Sequence, residues 1–136
     1  MSKGMNDKTS IETIKMVRQI GPVVNWNTKK NRLLLDAVLA LKNADEAKRF
    51  LRDLMTEKEI KEFANRLETA TLLSKNVQYN AIIEDTGLSP TTIARIAKWL
   101  YGSLGGYRLI LARLYPNIFS HHNNSSPAGK GLRLGS

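Results

Sequence analysis

The chain has no cysteine among its 136 residues. That excludes disulfides and thiolate metal sites and fits a reducing compartment, so a cytoplasmic location is expected. Acidic residues are also scarce: 12 Asp and Glu face 21 Lys and Arg, a formal charge of +9. No apolar run reaches the length of about 18 residues that a membrane helix needs, and the opening MSKGMNDKTS lacks the apolar centre of a secretory signal. The two histidines, His121 and His122, adjoin each other with no carboxylate or cysteine at a ligating interval, so no metal site is expected. No Gly-rich loop follows a strand, and Glu57, Glu59 and Glu62 crowd the start of a helix rather than forming an acid–base pair. Neither a catalytic site nor a cofactor is expected.

Hydrophobic residues make up 42% of the chain, enough for one folded domain with a small core. The positive charge is uneven. Residues 1–35 carry seven basic and two acidic side chains, residues 36–75 carry eight of each, and residues 76–115 carry four against two. A polyanionic partner is favoured, nucleic acid ahead of an acidic membrane surface, although a basic solubilising surface accounts for charge alone equally well.

No segment alternates apolar and polar residues convincingly, so the fold is expected to be all-α. Residues 1–29 are read as an N-terminal arm, partly ordered, with a short amphipathic helix over 11–20 stopped by Gly21-Pro22. A domain over 30–116 follows, then a flexible tail over 117–136. Within the domain, NRLLLDAVLALKN (31–43) is apolar on more than one face through Leu34, Leu35, Val38, Leu39 and Leu41, which suggests packing against a second chain. Asn43 caps the next helix, whose buried stripe is expected to be Phe50, Leu51 and Leu54. Thr56 and Glu59 form a capping box for a helix in which Ile60, Phe63, Ala64, Leu67, Ala70 and Leu73 recur at three and four residues. Gly102 and the Gly105-Gly106 pair then break a helix and restart it.

The stretch AIIEDTGLSPTTIARIAKWL (81–100) has the parts of a helix-turn-helix. Ile82 and Ile83 supply an inward face, Gly87 permits a left-handed turn, and Leu88 can plug the angle between the helices. Ser89 suits the N-cap and Pro90 the first helical position. With Ile93, Ile96 and Ala97 turned inward, Thr91, Thr92, Ala94, Arg95 and Lys98 are left outside. Such a face can enter a major groove: threonine hydroxyls can reach base edges or phosphates and Ala94 a thymine methyl, while Arg95 can grip guanine or phosphate and Lys98 the backbone. Gln78 and Tyr79, at the start of the first helix, could meet backbone phosphates. Ile83 departs from the small residue usual at its position. Two core helices of a bundle would use much of the same pattern.

The succession FLRDLMTEKEIKEFANRLETATLL, VQYNAIIEDTGLSPTTIARIAKWL and YGSLGGYRLIL resembles the tryptophan-repressor superfamily, and within it the YerC/YecD group of repressor-like proteins. The likeness covers about residues 30–115; its helix-turn-helix part is generic, whereas the whole succession ending in Gly-Gly-Tyr-Arg is specific. It implies a six-helix fold and an intertwined homodimer presenting two recognition helices to double-stranded DNA. It also implies an effector site in which two arginines sandwich an indole; by position these are Arg66 and Arg95. The glycine that makes room for that ligand is Ile96 here, and a later serine is Trp99, so tryptophan is not expected to bind. Two functions follow from these readings: a sequence-specific DNA-binding regulator, the repressor that its family likeness implies, or a helical module that binds a protein and carries its basic surface incidentally.

Overall fold

A computed structural model describes residues 23–120. The expected helix over 11–20, most of the N-terminal arm, and His121 and His122 with the rest of the tail lie outside the described residues. Among those described, all regular structure is helical, in the order α1 (Lys29–Ala40), α2 (Ala44–Leu54), α3 (Glu57–Ser74), α4 (Tyr79–Thr86), α5 (Pro90–Leu100) and α6 (Gly106–Leu114).

Local chemistry sets the helix starts. The Thr28 hydroxyl accepts from the Asn31 amide at 3.2 Å, so α1 begins at Lys29, two residues before the expected start at residue 31. Leu41 turns extended and ends it, short of the expected limit at residue 43. Asn43 accepts from the Glu46 amide at 3.0 Å and starts α2. The Thr56–Glu59 capping box is closed in both directions, with the Thr56 amide donating to the Glu59 carboxylate at 2.8 Å and the Glu59 amide to the Thr56 hydroxyl at 3.2 Å. Those hydrogen bonds to backbone and side chain of Thr56 hold the Glu59 carboxyl below its ordinary pKa.

The chain divides into two compact units, Met1–Ala64 and Asn65–Ser136, with α3 contributing to both. In the first unit no described residue is buried. Leu33, Leu34, Leu35, Val38 and Leu39 on α1 are all exposed, with Leu39 at 74%. The expected stripe on α2 is present but not covered: Phe50 is half-buried, and Leu51 and Leu54 are exposed. The expectation of a buried α2 face therefore fails for a single chain. Helical periodicity identifies a face that is apolar, and it leaves open what covers that face.

The second unit holds the core. Ala70, Leu73, Ile82, Ile93, Ile96, Leu100, Leu111 and Ile118 form one buried cluster, flanked by half-buried Leu72, Val77, Ile83, Leu88, Ala97, Trp99, Tyr107 and Phe119. Each fully buried aliphatic side chain contributes about 1.5–3 kcal/mol relative to an exposed one. Buried hydroxyls on α3 and α4 return to the carbonyl one turn back, Ser74 to Ala70 at 2.8 Å and Thr86 to Ile82 at 2.7 Å, which removes the cost of burying them. The tail was expected to begin at residue 117. Ile118 is instead part of the core, on a turn in which its amide donates to the Tyr115 carbonyl at 2.9 Å.

Candidate nucleic-acid interface

The helix-turn-helix is assembled by local bonds that its sequence dictates. Gly87 lies in the left-handed region at φ 72°, and its amide donates to the Ile83 carbonyl at 2.8 Å, closing α4. The Thr86 hydroxyl accepts from the Leu88 amide at 3.2 Å and so fixes the turn from inside. Leu88 then packs half-buried against the core, as a plug between the helices should. The Ser89 hydroxyl accepts from the Thr92 amide at 3.2 Å, and Pro90 occupies the first turn of α5. Ile83, the residue out of pattern, is half-buried against the core cluster.

Burial of Ile93, Ile96 and Leu100 determines which way α5 faces. Thr91, Ala94, Arg95 and Lys98 are exposed and fall on the opposite side. Ser89 and Pro90, at the amino end of the same helix, are exposed too. No carboxylate occurs in α5, so nothing on the helix opposes an approaching phosphate. Gln78 precedes α4 without a side-chain capping bond, and Gln78 and Tyr79 are both exposed. Thr92 differs from the expectation. It is half-buried, and its hydroxyl shares a hydrogen bond of 3.0 Å with that of Ser89, so these two side chains cap α5 before they can serve a ligand.

Behind α5, a contact that was not foreseen fixes the carboxyl end of the helix. Arg108, half-buried on α6, donates from its guanidinium to the carbonyl of Leu100, the last residue of α5. Gly105 caps α6 in the left-handed region at φ 69°, and a Cβ there would stand 3.0 Å from the Arg108 guanidinium. Gly102 is confined as well, because a Cβ at that position would approach the Lys98 carbonyl to 2.8 Å. The Gly-Gly-Tyr-Arg block thus ties α6 to the end of α5. Its sequence signal was visible as a glycine break; the partner of the arginine was not.

Arg66 and Arg95, the two positions implied for an effector, differ in setting. Arg95 is exposed on the outer face of α5. Arg66 is half-buried on α3, where its cation acts on the Tyr107 phenol. Burial raises the Tyr107 pKa, and the Arg66 charge offsets part of that rise. Ile96 is fully buried, and Trp99 is half-buried against the core cluster. No group of three or more His, Asp or Glu that could hold a metal occurs among the described residues. No helix among them is long and apolar enough to cross a membrane.

Comparison with known proteins agrees with the helical fold. Residues 29–115 match the model of the family described as Trp repressor protein. The Bacillus subtilis protein YerC, itself uncharacterized, is 37% identical over 81 residues, which span 60% of this chain and 78% of YerC. The crystal structure of a TrpR-like protein from Eubacterium eligens superposes with a TM-score of 0.61 at 38% identity, covering 65% of this chain and 92% of that one. A Staphylococcus aureus protein provisionally named as a Trp repressor gives a TM-score of 0.60 at 32% identity, covering 65% of this chain and 88% of its own.

Proposed function

The chain belongs to the Trp repressor protein family, and from that premise we propose that it is a sequence-specific regulator, a repressor, that binds double-stranded DNA as a homodimer in the cytoplasm. The observation that carries this reading is the outer face of α5. Thr91, Ala94, Arg95 and Lys98 stand exposed on a helix whose start, turn and end are each held by a specific bond. In this role Arg95 and Thr91 address base edges, Ala94 meets a thymine methyl, and Lys98 holds phosphate. The exposed amino end of α5 at Ser89 and Pro90 faces a phosphate, as do Gln78 and Tyr79 at the start of α4. Thr92 contributes mainly by capping.

The homodimer rests on a separate observation, the apolar surface of the first unit. Five aliphatic side chains of α1 are exposed together, and none of the unit's described residues is buried. A second copy is the partner that covers this surface in a protein of this family. Two-fold pairing places the recognition helices about one DNA turn apart on a near-palindromic site.

Tryptophan is not the corepressor in this reading. Arg66 and Arg95 are present, but by the family likeness Ile96 and Trp99 replace the small residues that make room for an indole, and both side chains are packed against the core. DNA binding is accordingly independent of tryptophan. The reading includes no catalytic role and no cofactor.

Titration of duplex binding against salt tests the proposal. Several phosphate contacts require a steep linear fall of log affinity with log salt. A weak salt slope, together with duplex affinity unchanged in Arg95→Ala and Lys98→Ala, would instead favour a helical module that binds a protein.

A further inference from the structure

We propose that the cleft between the end of α3 and the segment after α6 is a binding site for a small monocarboxylate with an apolar body. The cleft has a volume of about 590 Å³, within the range of small-molecule sites. It is lined by Ser74, Lys75 and Asn76 on one side and by Leu114, Tyr115, Pro116, Asn117 and Ile118 on the other. All of these belong to the second unit, so the cleft is formed within one compact body.

Its chemistry is one-sided. Lys75 is the single charged side chain of the lining, and no carboxylate accompanies it. Its ammonium stands 5.6 Å from the centre of the Tyr115 ring, which holds the cation over the aromatic face and beside the apolar wall of Leu114, Pro116 and Ile118. The side-chain amides of Asn76 and Asn117 make no hydrogen bond to another described residue and leave donors at the rim. A carboxylate set on Lys75 and these amides, with a ring or alkyl chain along Tyr115 and its neighbours, uses every chemical feature of the lining. A cationic ligand would meet Lys75, and a wholly apolar one would leave the ammonium and the amides unused.

The backbone here is specialised as well. Asn76 adopts φ 62°, alone among the described non-glycine residues in having positive φ. Residues 75–78 are the whole connection from α3 into the helix-turn-helix, so a ligand held at Lys75 and Asn76 sits at the entry to that motif. The site is distinct from Arg66 and Arg95, and its existence does not depend on whether α5 reads DNA.

Titrating the full chain, free of DNA, with phenylacetate tests the site by two-dimensional amide NMR, with phenethylamine as the cationic counterpart. Saturable shifts centred on Lys75, Asn76 and Asn117 are expected, with an affinity of about millimolar for so small a probe. Phenethylamine should leave those amides unmoved. Lys75→Met should weaken phenylacetate about tenfold while Lys75→Arg retains it. Lys75 is exposed, so neither change threatens folding. Absence of saturation, equal response to the two probes, or affinity unaffected by Lys75→Met would each overturn the proposal, and a second copy covering the cleft would appear as the first of these.

Discussion

The guanidinium of Arg108 donates to the carbonyl of Leu100, joining the start of α6 to the last residue of α5. A helix end exposes carbonyls that the helix itself cannot satisfy, and a cation is favoured there by the helix dipole as well. Gly105 makes the contact possible, since it starts α6 in a conformation that a side chain resists and leaves space under the guanidinium.

Removing either member should loosen α5 from behind. Arg108→Ala is expected to cost about 1.5–3 kcal/mol, the worth of a hydrogen bond to a charged group. Gly105→Ala should cost about 1–2 kcal/mol from the left-handed backbone alone. Gly106→Ala, where an added Cβ meets nothing within 4 Å, should be close to neutral. Urea denaturation of the three variants checks the order.

Tyr107 links stability to alkaline pH. Its folded-state pKa is raised by burial, so the folded protein holds the phenolic proton more tightly than the unfolded chain does. The resulting stability is fully present below the unfolded value near 10 and is lost as pH rises through the folded one. Arg66→Gln removes the opposing cation and should move the tyrosinate absorbance transition of Tyr107 to still higher pH. A transition that moves down, or stays, would contradict the electrostatic role given to Arg66.

Glu59 works in the opposite direction. Its bonds to Thr56 depress the folded pKa, so the stability it brings is present above the unfolded value of 4.5 and disappears as pH falls through the lower folded value. Thr56→Ala removes the hydroxyl bond but keeps the larger contribution of the residue-56 amide, so the Glu59 titration, followed by side-chain NMR, should rise only part of the way toward the ordinary carboxylate range.

The surface of α1 should make stability depend on concentration. A tenfold increase in protein is expected to raise Tm, because association stabilises the folded chain by mass action. Val38→Glu should shift the mass measured by light scattering toward a monomer and lower Tm. A monomer at micromolar concentration in the unaltered protein would contradict the homodimer.

Much of the fold was legible because its signals are local. Thr56 with Glu59, Asn43 with Glu46, and Gly87-Leu88-Ser89-Pro90 each act within four residues, and each makes its expected bonds. The inward face of α5 was equally readable from Ile93, Ile96 and Ala97. What escaped was set by distant parts of the chain or by competition within a cap. Ile118 looked like tail because polar residues surround it, yet it completes the core. The hydrogen bond of Arg108 to Leu100 and the approach of Lys75 to the Tyr115 ring join separate parts of the chain that periodicity cannot trace. Thr92 faced outward on a helical wheel, but its hydroxyl was drawn to Ser89. Leu51 and Leu54 were assigned to a buried stripe on pattern alone, and within one chain both stay partly open to solvent.

The central claim is that two copies of α5 read a duplex through Arg95, Thr91 and their neighbours. Selection of bound fragments from random duplex DNA tests it most directly, because affinity, symmetry and spacing are read together. The expected result is a near-palindromic site with half-site centres about 10–10.5 base pairs apart, and a changed or lost base preference in Arg95→Ala. Failure to enrich any sequence, or the same site recovered unchanged with Arg95→Ala, would contradict it.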